Sequence, residues 1–171
     1  MSKNKKLLSF RIPKIRDEKS PIRKTTTYKG FLANAQNDKK IGIIFGTFDI
    51  VHPGHLNLFA QARESDVYLI TVIARDKTVF QVKGKYPKNE ELDRLKNVKK
   101  HKVSDLVVLG SLRDKYAVIK KYRPDIIFLG YDQSAFIENL KSKLHEMNLT
   151  KAKIVRLKPH QPEIYKTSKM I

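Results

Sequence analysis

Short apolar runs alternate with helix-like segments between residues 41 and 157, and this alternation constrains the fold more than any other feature. Residues 41–45 (IGIIF) and 66–74 (DVYLITVIA) resemble strands that are buried on both faces of a parallel sheet. Links of a few residues between strands and helices favour right-handed crossovers. We therefore predict an α/β domain, a Rossmann-like parallel sheet with helices on both faces. The predicted strands are residues 41–45, 66–74, 106–109, 125–129 and 152–157, and the predicted helices are residues 56–63, 89–98, 113–122 and 134–147.

The first 38 residues differ in character from the rest of the chain. They show no sustained apolar period, and residues 1–40 carry 12 Lys and Arg against 3 Asp and Glu. We expect residues 1–38 to form a basic extension, partly disordered or draped over the domain, and residues 39–171 to form the domain itself. The net charge of +19 attracts polyanions in general, so it does not choose among nucleic acid, a membrane surface and a triphosphate.

Several classes of protein are disfavoured by composition. The chain has no cysteine, which excludes disulfides, thiolate metal sites and cysteine nucleophiles. No apolar run approaches the roughly 20 residues of a membrane helix, so we expect no membrane partner. The N-terminal residues lack the apolar stretch and cleavage site of a secretory signal. A cytoplasmic protein is therefore expected.

The segment GTFDIVHPGH, residues 46–55, follows the first predicted strand and carries the most specific chemistry. His52 and His55 are separated by Pro53 and Gly54, which allow a tight turn and close approach of a ligand. The free N–H groups at the start of the next helix suit a phosphate. The imidazoles can then donate hydrogen bonds to phosphate oxygens in a transition state. The alternative is structural, with one histidine capping the helix and the other packing.

GTFD followed by HPGH resembles the signature of the cytidylyltransferase-like nucleotidyltransferases, a family that includes glycerol-3-phosphate cytidylyltransferases and archaeal-type FAD synthases. The resemblance extends over residues 41–171. Three further segments, ARDKTV (74–79), KGK (83–85) and GYDQ (130–133), are most similar to the FAD synthases. The resemblance implies a nucleotidyltransferase domain, and members of the family are often homodimers.

The resemblance also implies roles for three groups of residues. The expected catalytic residues are His52, His55 and Lys85. The residues expected to bind the nucleotide are Gly46, Thr47, Phe48, Gly54, Lys83, Arg94, Gly130, Asp132, Lys166, Thr167 and Ser168. The residues expected to bind the acceptor are Asp49, Arg75 and Asp76.

Structural alternatives stand beside several of these roles. Lys83 and Lys85 could be solvated lysines of a basic loop (residues 82–87), and Arg94 could be an ordinary surface charge. Asp132 could cap the following helix, as we predict that Asn89 caps the second one. The chain also departs from the cytidylyltransferase pattern, which has an arginine where this sequence has Gln161.

The residues favour direct transfer over a covalent intermediate. No serine, cysteine or lysine is placed as a nucleophile beside a base, so we expect in-line attack of an acceptor phosphate on the α-phosphorus of ATP or CTP. Pyrophosphate would leave, and positioning and charge neutralisation would supply catalysis. We expect a divalent cation, Mg²⁺, held through the phosphates and water, with no metal ligand from the protein.

Three functions follow from these patterns. The first is an FMN adenylyltransferase (FAD synthase), whose flavin ring would need stacking faces; the candidates are Phe48, Phe80, Tyr86 and Tyr131. The second is a cytidylyltransferase that transfers CMP to a polyol phosphate such as glycerol 3-phosphate. The third is a basic nucleic-acid-binding protein on the same scaffold, which is disfavoured because no interleaved aromatic platform accompanies the basic segment.

Overall fold

The predicted α/β architecture is confirmed. The structure, a computed structural model, describes residues 39–134 and 137–165. The strands of the described region pair in parallel in the order β3-β2-β1-β4-β5. The strands are β1 (Lys40–Gly46), β2 (Val67–Ile73), β3 (Leu106–Leu109), β4 (Ile126–Leu129) and β5 (Lys153–Arg156). The predicted extension, residues 1–38, lies outside the described residues.

Helices cover both faces of the sheet, as the apolar runs predict. They are α1 (Pro53–Arg63), α2 (Asp76–Lys83), α3 (Glu91–Lys100), α4 (Ala117–Tyr122) and α5 (Leu140–Glu146). On one face, Phe59 and Ala62 of α1 join Val98 of α3 in a core with the strands. On the other face, Ile119 of α4 and Leu144 of α5 form a second core. Among the described helices, none has the length and apolar character needed to cross a membrane.

The strand order reverses at β1. The chain runs outward from β1 to β2 and β3, then returns to the other side of β1 for β4. Ligands of open parallel sheets bind beyond the carboxyl ends of the strands at such a reversal. The loops that leave β1 and β2 are joined there, because the N–H of Ala74 donates to the carbonyl of Gly46 at 2.9 Å.

Residues 76–83 form a helix that the sequence analysis did not predict, and Lys83, which it placed in a loop (residues 82–87), ends that helix. Asp76 lies in the first turn, Lys83 lies in the last, and Gly84 follows with a φ of 71°. Both charges are favourable toward the helix dipole, and glycine is the usual residue in the left-handed position after a helix. These signals were readable in the sequence, so the predicted basic loop really begins at Gly84.

The starts of three later helices also differ from prediction. Helix α3 has Glu90 as its N-cap, so the assignment of Asn89 as N-cap was wrong. Helix α4 begins at Ala117 and not at residue 113, because the Ser111 hydroxyl accepts the N–H groups of residues 113 and 114. Such side-chain bonds compete with helix formation. Helix α5 begins at Leu140, so among the described residues Asp132 caps no helix.

Candidate active site

The two motif histidines stack on each other at the start of α1. His52 is the extended N-cap residue, and its carbonyl accepts the N–H groups of His55 and Leu56 at 2.9 and 3.1 Å. Pro53 occupies the first helical turn, where its missing N–H costs nothing. The two imidazole rings lie 3.8 Å apart, centroid to centroid. Both rings thus meet at the positive end of the helix dipole.

Close packing explains the small and apolar residues of the motif. A side chain at Gly54 would place its Cβ 3.0 Å from the His52 ring and 3.3 Å from Cβ of Tyr165. A side chain at Gly46 would meet the Phe48 ring at 2.5 Å. Phe48 is buried, stacks on Phe59 and touches the His55 ring edge. Its side chain therefore packs behind the histidines, and its predicted contact with the nucleotide would involve backbone atoms.

The protonation state of His55 is set by its surroundings. Nδ1 of His55 donates to the carbonyl of Ile50 at 3.1 Å, which leaves Nε2 as the second polar atom of the ring. Burial, the adjacent His52 and the charge of Lys83 lower the pKa of His55 to about 4. Burial also lowers the pKa of His52. Both rings are therefore neutral at pH 7 in the free protein.

Lys83 ends α2 beside the motif, whereas Lys85 follows on an exposed segment. Nζ of Lys83 lies 3.3 Å from the Thr47 hydroxyl, so the lysine reaches across to the loop after β1. Lys85 is exposed just beyond the left-handed turn at Gly84. The structure thus brings Thr47, Lys83 and the histidines together, with Lys85 next to them along the chain.

Arg94 lies beneath these loops and is completely buried. Nε donates to the carbonyl of Asn89 at 3.0 Å, Nη1 donates to the carbonyl of Thr47, and Nη2 donates to the carbonyl of Ala74 at 2.7 Å. Nη2 also pairs with Asp76 at 2.7 Å. One side chain thereby ties together the loops after β1 and β2 and the start of α3. The predicted contact of Arg94 with the nucleotide stays a prediction, and it would require the guanidinium to become accessible.

Asp49 holds the segment before α3 in place. Its carboxylate accepts the backbone N–H groups of Lys88 and Asn89 at 2.7 and 2.8 Å. The Asn89 amide donates back to the Asp49 carbonyl at 2.9 Å. The Asp49 side chain is buried, so both of its oxygens serve the loop rather than the solvent. Its predicted contact with the acceptor is not tested by this arrangement.

The other two predicted acceptor residues, Arg75 and Asp76, are joined by Glu91. Glu91 accepts the backbone N–H of Asp76 at 2.9 Å, and Asp76 accepts the backbone N–H of Glu91 at 3.2 Å. Glu91 also pairs with Arg75 at 2.7 Å. Nε of Arg75 is buried without a hydrogen-bond partner. Arg75 thus keeps one unused donor beside the loop after β2.

The loop after β4 is held by an arginine that the sequence analysis missed. Nη1 of Arg156, at the end of β5, donates to the carbonyls of Gly130, Tyr131 and Gln133 at 2.8, 3.1 and 3.1 Å. Asp132 is exposed on this loop. Partial burial, the charge of Asp132 and a hydrogen bond to it raise the pKa of Tyr131. The two predicted nucleotide residues, Gly130 and Asp132, therefore lie on a braced loop.

The C-terminal segment approaches the histidines through Tyr165. The Tyr165 ring centroid lies 6.4 Å from that of His52 and 5.9 Å from that of His160, and it is nearly parallel to both rings. The predicted phosphate residues Lys166, Thr167 and Ser168 lie outside the described residues. Tyr165 begins the segment YKTSK (165–169), which resembles the phosphate-binding segment of the family. Arg156 and Glu91 belong to no motif that we used, so only their positions in the fold reveal them.

The described residues do not supply a set of protein ligands for a metal. Across residues 39–134 and 137–165, no three His, Asp or Glu side chains lie together as a metal site. The buried Asp49 carboxylate is already bonded to two backbone N–H groups. The binding of a divalent cation through phosphates and water stays a prediction.

Comparisons with known proteins agree with this geometry. Residues 43–171 match the sequence profile of the cytidylyltransferase-like family. An FAD synthase from Thermococcus sibiricus is 37% identical over 136 residues, 78% of this chain and 91% of the relative. An FAD synthase from Methanohalophilus mahii is 42% identical over 127 residues, 74% of this chain and 87% of the relative.

A solved structure supports the same fold. The lipopolysaccharide core biosynthesis protein from Thermoplasma volcanium superposes with a TM-score of 0.66 at 35% identity, over 72% of this chain and 99% of that one. Its fold places the sheet and helices in the same arrangement. The relatives agree with the histidine pair and the parallel sheet. The chain belongs to the cytidylyltransferase-like family and is a nucleotidyltransferase.

Proposed function

We propose that this nucleotidyltransferase transfers AMP from ATP to FMN, which gives FAD and pyrophosphate. The observation that carries the choice of acceptor is identity of 37% and 42% to two FAD synthases, of which this chain covers 91% and 87%. The chemistry is supported by the stacked histidines at the start of α1, with Lys83 close enough for its charge to lower the pKa of His55.

The proposed reaction is a single displacement at phosphorus. An oxygen of the FMN phosphate attacks the α-phosphorus of ATP, a new P–O–P bond forms, and the bond to the β-phosphate oxygen breaks. The electron pair of that bond leaves with pyrophosphate. His52 and His55 would donate hydrogen bonds to the oxygens of the five-coordinate phosphorus, on which charge builds.

His55 needs a proton to take this part. Its Nδ1 donates to the Ile50 carbonyl, so only a protonated Nε2 can donate to a phosphate. The pKa of about 4 in the free protein keeps Nε2 unprotonated at pH 7. A bound triphosphate brings several negative charges and raises that pKa again. Binding of ATP is therefore coupled to uptake of a proton at His55.

The β- and γ-phosphates are assigned to the basic side of the site. Lys83, Lys85 and the hydroxyls of Thr167 and Ser168 would hold them, together with the N–H of Gly54. A divalent cation bound with the nucleotide would supply neutralisation of the charge that passes to pyrophosphate.

The remaining predicted residues are proposed to act mainly through the loops that they build. Gly46, Thr47 and Phe48 shape the backbone next to the phosphates. Gly130 and Asp132 lie on the loop that would face the base. The acceptor residues are proposed to work as a unit tied to the loop after β2 and to the start of α3: Asp49, Arg75 and Asp76.

A pyrophosphate-release screen tests the proposal. Each of the four nucleoside triphosphates is incubated with FMN or glycerol 3-phosphate and Mg²⁺, and products are identified by mass. FAD formed from ATP and FMN is the expected result. CMP transfer to glycerol 3-phosphate, without FMN binding at millimolar concentration, would replace FMN by the polyol phosphate. Nucleic-acid binding that weakens with salt, without turnover on any pair, would reject the enzyme activity.

Two further expectations belong to this proposal. The reaction is placed in the cytoplasm, which cell fractionation followed by activity measurement tests. A homodimer is expected from the family resemblance, and sedimentation equilibrium tests it. Neither expectation changes the chemistry of the site.

A further inference from the structure

Two aromatic side chains remain exposed next to the site. Phe80 on α2 and Tyr86 beyond its end are stacked, with ring centroids 4.6 Å apart and planes inclined by 23°. Their side chains are nevertheless 44% and 61% exposed. Each ring therefore contacts the other on one side and keeps apolar surface in water on the rest. Such exposed aromatic surface is favoured at binding sites and disfavoured elsewhere.

The local backbone brings this pair to the phosphate-binding side. Phe80 lies three residues before Lys83, on the same side of α2, and Nζ of Lys83 lies 3.3 Å from the Thr47 hydroxyl. The left-handed residue Gly84 then turns the chain, so that Tyr86 folds back onto Phe80. Lys85 lies between the turn and Tyr86. The aromatic pair and the two lysines thus share one short segment beside the loop after β1.

The other two candidate residues, Phe48 and Tyr131, already have side-chain partners in the structure. Phe48 is buried between Phe59 and the His55 ring. Tyr131 is hydrogen-bonded to Asp132, a contact that contributes to its raised pKa. Of the four aromatic residues named from the sequence, Phe80 and Tyr86 offer exposed rings, and neither is hydrogen-bonded to a side chain of the described residues.

We propose that Phe80 and Tyr86 form the platform on which the isoalloxazine ring of the acceptor stacks. This inference rests on the proposed function, because it assumes FMN as the acceptor. A flat three-ring system would extend this stack on the outer face of one ring, which the other ring supports from behind, and stacking requires no hydrogen bond from the platform. Glycerol 3-phosphate has no ring and would leave the pair exposed. The platform therefore selects for a planar aromatic acceptor over a polyol phosphate.

The test compares Phe80→Ala, Tyr86→Ala and the double variant with the wild-type protein. Leu92→Ala is the matched control, because Leu92 is 55% exposed on the neighbouring helix α3. FMN binding is followed by quenching of flavin fluorescence, and KM is measured for FMN and for ATP separately. We expect each variant to weaken FMN binding about tenfold, and the double variant about 10²-fold. The KM for ATP of these variants should match that of wild type within about twofold, and their melting temperatures within a degree or two. The Leu92→Ala variant should match wild type within the same limits.

Each other outcome has a definite meaning. If wild type forms FAD and the variants keep its KM for FMN, the platform is wrong and the proposed function stands. A raised KM for ATP with unchanged FMN binding would assign the pair to the adenine ring and overturn the inference. If wild type neither binds FMN nor forms FAD, the proposed function fails first. Tyr86→Phe retains the ring and should restore FMN binding, whereas a role of the hydroxyl would not allow this.

Discussion

The candidate site has two regions that use the same types of residue for different purposes. The support under the site consists of the buried Asp49 and Arg94 and the partly exposed Asp76. Their charged groups bond to backbone atoms, and Arg94 and Asp76 also pair with each other. The exposed rim carries Lys83 and Lys85, whose charges face solvent. A charge in the support fixes where the loops lie, and a charge in the rim attracts phosphate. Residue type within a motif therefore does not reveal which role a side chain has.

Loss of a charge should therefore change the free energy of unfolding in the support but not in the rim. Removing a charge from the support leaves buried carbonyls or a buried carboxylate without a partner, which affects folding and activity together. Removing a charge from the rim exposes no such group, so folding is preserved and only activity falls. The substitutions below test the support and the rim separately.

The largest effect on stability is expected for Arg94→Met. This change leaves the carbonyls of Thr47, Ala74 and Asn89 and the Asp76 carboxylate without their donor. The free energy of unfolding, measured with urea, should fall by about 3–5 kcal/mol. The value of kcat/KM should fall by about 10²-fold, since small displacements of site loops are costly. The exposed Arg113→Met is the control, and a loss under about 1 kcal/mol for Arg94→Met would place Arg94 in the rim.

The next effect is the dependence of stability on pH. His55 has a pKa of about 4 in the folded protein and 6.5 as its ordinary value. Between these values the unfolded state binds more protons, so the free energy of unfolding falls as the pH falls through this window. The His55 share of that loss between pH 7 and pH 4 is on the order of 3 kcal/mol. This share is obtained by subtracting the loss measured for His55→Gln from the loss measured for wild type. If the free energies of unfolding of the two proteins fall in parallel with pH, the lowered pKa of His55 is wrong.

A smaller effect, confined to kinetics, is expected in the rim. Lys83→Ala should lower kcat/KM by about tenfold or more, because a cation near the triphosphate is lost. Its free energy of unfolding should stay within about 0.5 kcal/mol of wild type. Lys77→Ala is the matched control, an exposed lysine on the same helix α2. Equal activity of the two variants would show that Lys83 does not contact the nucleotide.

The smallest effect is expected for deletion of residues 1–38. Their sequence has no sustained apolar period, so little core should be lost. The truncated protein should keep kcat/KM within about tenfold of the full chain. Insoluble protein, or a greater loss of activity, would add this segment to the support or to the site.

The sequence predicted the sheet better than it predicted the site. Apolar runs such as residues 41–45 are read directly, because strands buried on both faces need apolar residues on both. Helix α2 was missed because its short sequence looked like a basic loop, although Asp76, Lys83 and Gly84 carried its end signals. The support could not be predicted, since Arg94 meets Thr47 and Ala74 only after the sheet has formed. Motif spacing thus located the histidines, whereas only the tertiary fold shows which nearby charges belong to the support and which to the rim.

The most direct test of the account measures FAD formation by wild type and by His52→Ala. We predict that wild type converts ATP and FMN to equal amounts of FAD and pyrophosphate. His52→Ala should lower kcat/KM by about 10²-fold or more, roughly 3 kcal/mol of transition-state stabilisation, with the melting temperature lowered by only a few degrees. Formation of FAD by the variant at the wild-type rate, or no FAD from wild type, would contradict the account.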